Sequence, residues 1–175
     1  MEYISSYISP IGKMILSGDG EVLTGLSFQG DKHFLQPSEQ KEVNLPIFEQ
    51  TKHWLDCYFR GEKLDFTLPI RLEDTPFRLM VWEILREIPY GETVTYKYIA
   101  DRIAKQKGIK VMSAQAVGGA VGHNPISIIV PCHRVIGSDG SLTGYAAGIG
   151  RKIELLRLEG IDTSEMSLPR SSNAL

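Results

Sequence analysis

Residues 114–135 read AQAVGGAVGHNPISIIVPCHRV. The stretch joins a slim helix to a cysteine flanked by Pro, His and Arg, and it decides how the second half folds. Ser113 is a candidate N-cap, and 114–122 reads as a short helix made almost wholly of Ala and Gly. A glycine inside a helix costs about 1 kcal/mol against alanine, yet Gly118 and Gly119 are adjacent. Small residues let a second backbone or a ligand approach closely. Either a neighbouring helix or a nucleic-acid groove fits that description, and the segment alone does not choose between them.

Upstream, Thr95 opens a second short helix over 96–104, with Tyr96, Ile99 and Ile103 at helical spacing. Residues 105–110 (KQKGIK) read as a basic turn. Two short helices joined by a turn outline a helix-turn-helix. Before it, Thr75 caps a helix with Pro76 at its first position. Phe77, Met80, Val81, Ile84 and Leu85 form its apolar stripe, which ends near Pro89-Tyr90-Gly91. Residues 69–75 (PIRLEDT) show no periodicity and read as a linker. The N-terminal third reads as strands over 3–8, 13–17 and 22–28, with Gly18-Asp19-Gly20 as a hairpin turn. A polar loop over 30–44 follows. Then Ile47, Phe48, Thr51, Trp54, Leu55, Tyr58 and Phe59 recur as a helix stopping at Gly61. The expected organisation is a sheet-and-helix domain with linker over 1–75, a helix-turn-helix domain over 76–160 and a polar tail over 161–175.

Downstream of the slim helix, 126–130 is apolar and reads as a buried strand that delivers Pro131, Cys132, His133 and Arg134 at its end. A thiol is nucleophilic only as thiolate and needs cationic or hydrogen-bonding neighbours. His133 and Arg134 are candidates. Adjacent residues on an extended chain point apart, so a direct Cys132–His133 bond does not follow from the sequence, and a water or a local turn is the other way to join them. His133 in turn needs an orienting carboxylate. The bland alternative is that a lone Cys is a small core residue, which suits Cys57 beside Trp54, Leu55 and Tyr58.

Composition narrows the class. With 175 residues, 42% apolar and 23% charged, the chain suits a folded protein and not a disordered one. Two cysteines are too few for a disulfide framework or a four-thiolate zinc site. No apolar run approaches the roughly 20 residues of a membrane span, and no leader is visible, so no membrane partner and a cytoplasmic setting are expected. The net charge of −2 hides an asymmetry. Residues 1–75 carry 7 Lys/Arg against 12 Asp/Glu, whereas 76–160 carry 11 against 7. The local excess points any anionic partner to the second half.

The motif PCHRV at 131–135, preceded by NP at 124–125 and AVGGAVG at 116–122, closely resembles the signature of methylated-DNA–protein-cysteine methyltransferases, the O6-alkylguanine-DNA alkyltransferases. The resemblance is strong over about 76–160 and general before it. It implies an α+β architecture in which a ribonuclease-H-like α/β domain precedes a winged helix-turn-helix catalytic domain. It also implies double-stranded DNA containing O6-alkylguanine as partner, a monomer, no cofactor, and a single irreversible transfer to cysteine after the base is flipped. By that resemblance Cys132 accepts the alkyl group and His133 deprotonates it through a water. Glu159 orients His133, and Asn124 is the hinge between helix and active-site segment. Tyr96 contacts the flipped base and protonates it on leaving. Tyr145, Ala146, Pro131 and Val135 line the base and alkyl pocket. Ser113, Ala114, Gln115, Ala116, Gly118, Gly119, Gly122 and Arg134 meet DNA.

Two departures matter. The family commonly places Arg where Gln115 stands; the shorter amide is expected to fill the gap in the base stack at reduced affinity. Zinc-binding relatives use Cys and His in the first domain, but here only His33, His53 and Cys57 occur there, so no metal is expected. The rivals are a non-catalytic winged-helix protein that recognises damage, and a cysteine hydrolase using Cys132, His133 and Glu159. Retention of Cys132 argues against the first, and the helix-turn-helix outline with its basic segment against the second.

Overall fold

The computed structural model describes residues 1–32 and 42–168. Most of the loop expected over 30–44, His33, and the last seven residues of the expected tail lie outside them. The chain divides into two units, Met1–Leu72 with Pro125–Ser127, and Glu73–Asn124 with Ile128–Leu175.

The first unit is built on β1 (Tyr3–Ser9), β2 (Gly12–Gly18) and β3 (Leu23–Phe28), antiparallel in that order. The pairing runs from Tyr3 opposite Gly18 to Ser9 opposite Gly12. Met14, Leu16, Leu23, Leu26 and Phe28 are almost fully buried, as an alternating strand pattern with one covered face demands. The helix α1 (Pro46–Phe59) contributes Ile47, Phe48, Leu55 and Tyr58 to the same core, and Gly61 follows it at φ 70°. The outer edge of β3 is not bare. Leu23 donates its N–H to Pro69 O (2.9 Å) and accepts from Arg71 N–H (2.9 Å). Leu26 does the same with Pro125 O (2.9 Å) and Ser127 N–H (2.8 Å). Residues 69–71, expected as linker, are therefore edge pairing, because an open strand edge leaves backbone groups unpaired.

The second unit contains α2 (Pro76–Arg86), β4 (Val94–Thr95), α3 (Tyr96–Lys107), α4 (Ala114–Gly122), β5 (Val135–Ile136) and α5 (Ile149–Leu158). Three helices start on side-chain caps, as their sequences ask. Thr75 Oγ1 accepts from Arg78 N–H at 3.3 Å, Thr95 Oγ1 from Tyr98 N–H at 3.0 Å, and Ser113 Oγ from Ala116 N–H at 3.2 Å. α3 continues through Lys107, three residues past expectation, and Gly108 at φ 66° ends it with a left-handed cap. Trp82 is fully buried, and its indole N–H donates to Ala120 O of α4 at 2.8 Å. β4 and β5 pair in parallel, Val94 with Val135 and Thr95 with Ile136.

The strand expected over 126–130 is absent. Ile126 makes a single bridge to Leu26. The chain then turns through Ile128, the one non-glycine described residue at positive φ (70°), and enters a 3-10 turn over Cys132–Arg134. A short apolar run does not distinguish strand from buried turn by pattern.

Candidate active site

The site grows from that 3-10 turn. Cys132 N–H donates to Val130 O at 2.8 Å and Arg134 N–H to Pro131 O at 3.0 Å. Asn124, two residues past α4, donates Nδ2–H to the same Val130 O at 2.7 Å. The side chain of Asn124 thus ties the end of α4 to the approach to Cys132. Ile128 is buried and β-branched in the left-handed region, a conformation that costs on the order of 1–3 kcal/mol and persists only where the surroundings over-determine it. The tight turn sends three consecutive side chains into the interior: Cys132 is 6% exposed, His133 0% and Arg134 8%.

Glu159 holds the last two, His133 and Arg134. It is the residue that caps α5, and it lies in phase with Lys152, Leu155 and Leu156 on the helix's buried face. Its Oε2 sits 2.5 Å from His133 Nε2. Its Oε1 accepts from Arg134 Nε–H at 2.7 Å and from Gly91 N–H at 3.0 Å. Burial works to raise the Glu159 carboxyl, but the hydrogen bond and charge of His133, followed by those of Arg134, outweigh it and hold it well below the usual carboxylate range. An ionised Glu159 accepts only, so Nε2 of His133 carries the proton and Nδ1 keeps its lone pair. Among the described residues Nδ1 is buried without a hydrogen-bond partner. Burial, opposed by Glu159 and assisted by Arg134 and Lys152, holds His133 below its ordinary value, which leaves the ring neutral and basic at Nδ1.

A second cluster faces the same turn. Tyr96 O–H donates to Thr143 O at 3.0 Å. Burial pushes this phenol up to about 12, so it is a neutral donor at physiological pH. Lys152, fully buried, donates to Val135 O at 2.5 Å and to the same Thr143 O at 2.6 Å. Burial pulls its ammonium down to about 8, with Cys132 acting in the opposite direction. Lys152 was not among the candidates. Its signal was present: a lysine at i, i+3, i+4 and i+7 phase with Leu155, Leu156 and Glu159. Tyr145 and Pro131 are buried, and Ala146 is half-buried.

On α4, Ser113, Ala114, Gln115 and Ala116 are exposed at its start. A methyl group added at Gly119 or Gly122 would meet nothing within 4 Å, and at Gly118 only the Tyr96 ring at 3.8 Å, an ordinary contact. Packing against a neighbouring helix therefore does not require these glycines. Arg134 is the expectation that the geometry corrects. The resemblance puts it at DNA, but its guanidinium is turned inward onto Glu159 and Ile88 O (2.7 Å) because a buried carboxylate attracts it. In the first unit His53 and Cys57 lie on α1 with Nε2 and Sγ 3.9 Å apart, and His53 stacks on Phe66.

A buried His133–Glu159 pair, next in chain to a buried Cys132, lies in the same unit as the helices α3 and α4. Residues 76–161 match the family described as "6-O-methylguanine DNA methyltransferase, DNA binding domain", and residues 3–72 match its "ribonuclease-like domain". The chain belongs to the 6-O-methylguanine DNA methyltransferase family. It is 42% identical over 160 residues to a methylated-DNA–protein-cysteine methyltransferase of Haemophilus influenzae, covering 91% of this chain and 87% of that one. It is 44% identical to one of Methanosarcina acetivorans, covering 90% and 98%. Among solved structures, Mycobacterium tuberculosis OGT in complex with DNA superposes with a TM-score of 0.79 at 42% identity, covering 94% and 95%. The expected pairing of a ribonuclease-like first domain with a DNA-binding second domain holds. No helix among the described residues is long and apolar enough to cross a membrane.

Proposed function

We propose that the protein repairs duplex DNA by moving the alkyl group of O6-alkylguanine to Cys132, once per molecule. The observation that carries this reading is the buried His133–Glu159 pair next in chain to Cys132, with Nδ1 of His133 free to act as base. In the reaction Cys132 Sγ loses its proton toward His133 Nδ1, through a water. The thiolate attacks the alkyl carbon, an S–C bond forms and the C–O6 bond breaks. The electron pair stays with the guanine, which takes a proton from Tyr96 O–H, and His133 returns its proton to the phenolate. Glu159 holds His133 in the tautomer that leaves Nδ1 basic. The product is a thioether, from which this site has no means of removing the alkyl group.

α4 is the element proposed to enter the minor groove, with the target base flipped into the pocket walled by Tyr145, Ala146, Pro131 and Val135. Support comes from its glycines, which no internal contact calls for. Gln115 stands exposed at its start, where it would fill the gap left in the stack. The surface charge is modest. Arg134 and Lys152 are buried, so 9 of the 11 cations of 76–160 remain outside, against 6 of the 7 anions once buried Glu159 is set aside. Binding to unmodified DNA should accordingly be weak and fall with salt.

Gly119→Ala separates the two demands on α4. It should raise thermal stability by up to about 1 kcal/mol, while DNA affinity measured by fluorescence anisotropy falls several-fold. Equal or tighter binding would remove the groove argument.

The deciding experiment is intact mass after incubation with a duplex containing O6-methylguanine under reducing conditions. One added methyl group, roughly 14 Da on the activated thiol, mapped to Cys132, is the expected result. Binding to the damaged duplex without a mass change would favour a damage-recognising protein that transfers nothing.

A further inference from the structure

Arg134 is placed to do something other than bind DNA. Its side chain is 10% exposed, and those of His133 and Glu159 are 0% exposed. The guanidinium reaches two ways at once, Nε to Glu159 Oε1 at 2.7 Å and Nη1 to Ile88 O at 2.7 Å, and lies 5.8 Å from the centroid of the Tyr90 ring. Tyr90 O–H in turn donates to Leu158 O at 3.1 Å. The turn after α2 and the end of α5 are therefore clamped together around one carboxylate. A planar fork can make both bonds in fixed directions, which a lysine ammonium cannot reproduce.

A buried carboxylate facing only an imidazole shares a proton with it, and the two titrate as one pair. Arg134 supplies a cation that never titrates in a protein. With it, Glu159 and Arg134 balance each other and the imidazole can stay neutral. The charged groups acting on His133 are Glu159 and Lys152 from α5 and Arg134 from its own turn, while Tyr90 and the Gly91 N–H, from the turn after α2, face Glu159. Of these only Glu159 draws a proton onto the ring, and Arg134 is its direct counter-charge.

We propose that Arg134 is a positioning residue of the transfer reaction, fixing the Glu159 carboxylate and neutralising it so that His133 remains a neutral base. The proposal rests on the reading of Cys132 as alkyl acceptor. His133 then gains its positive charge only when the thiol proton arrives, at the moment the thiolate forms.

The test compares wild type with Arg134→Gln and Arg134→Lys by two measurements. NMR titration of the His133 imidazole, in the full chain without DNA, reads the pair directly. Single-turnover methyl transfer between about pH 6 and 9 reads its consequence. In the Gln variant proton uptake by the His133–Glu159 pair should move to higher pH by about one unit or more. Transfer should be lost most at the acid end and recover toward alkaline pH, with the Lys variant intermediate. An unchanged titration midpoint, or a slowing that is equal at every pH, overturns the proposal. If the Gln variant does not fold, the same comparison on the Lys variant decides it. If wild type transfers no methyl group, the functional reading fails, and the imidazole titration still decides what Arg134 does.

Discussion

Glu159→Gln is expected to slow methyl transfer to Cys132 by about 10²–10⁴-fold, the range general-base catalysis spans. The substitution keeps the size and planarity of the group. What it removes is the direction of one proton. Glu159 as carboxylate can only accept, so it forces the N–H of His133 onto Nε2 and the lone pair onto Nδ1. The amide of Gln can donate through its NH₂, and His133 is then free to adopt the opposite tautomer, with Nδ1–H where a base is needed. Arg134 is left facing a neutral amide in a buried site, so the second fixed partner of the array is also lost. Single-turnover loss of O6-methylguanine, with protein in excess, measures the effect. Thermal denaturation of the same sample removes any contribution from unfolded protein. A rate within about threefold of wild type would show that His133 is not held as a base by Glu159, since the loss would lie far below what such catalysis supplies.

The parts of the molecule that are legible in sequence are those set by local chemistry. Thr75, Thr95 and Ser113 cap helices because a hydroxyl reaches the N–H three residues on, whatever surrounds it. The hairpin of β2 and β3, turned at Asp19-Gly20, and the stripe of α1 are likewise short-range. Features that depend on a distant partner were not legible. Residues 69–71 carry no strand pattern of their own and 126–130 reads as a strand that does not form; of these, only Ile70 and Ile126 bridge to β3, whose edge they cover. Arg134 looks like a surface cation until Glu159, 25 residues on, is brought beside it. Glu159 itself resembles a solvated helix end unless the phase of Lys152, Leu155 and Leu156 is followed to its next member. Gly118 and Gly119 were ambiguous between inner and outer neighbours, and only the space around them distinguishes the two.

Trp82→Ala is expected to destabilise the fold by about 3–5 kcal/mol, the range for emptying a fully buried aromatic site. The stripe Phe77, Met80, Val81, Ile84 and Leu85 omits Trp82, yet Trp82 is 0% exposed and is the largest fully buried side chain among the described residues. It lies on α2 and bonds Ala120 on α4, across 38 residues of chain. The same carbonyl accepts His123 N–H at 3.2 Å, so the indole is not its sole partner, and most of the cost comes from the cavity and not from the hydrogen bond. Ala120, the α4 residue that the indole bonds, has no length with which to refill the space. Against a typical total of about 5–15 kcal/mol, such a loss is a large fraction of stability. Trp82→Phe should cost much less, because it keeps a ring in place. Urea denaturation of the three proteins measures the series. Because α4 leans on Trp82, the Ala variant should also bind DNA more weakly at temperatures where it is still folded. A loss below about 1 kcal/mol, the level of an ordinary surface change, would mean that α4 holds its place without Trp82. The small residues of α4 would then not depend on the indole behind them for their alignment.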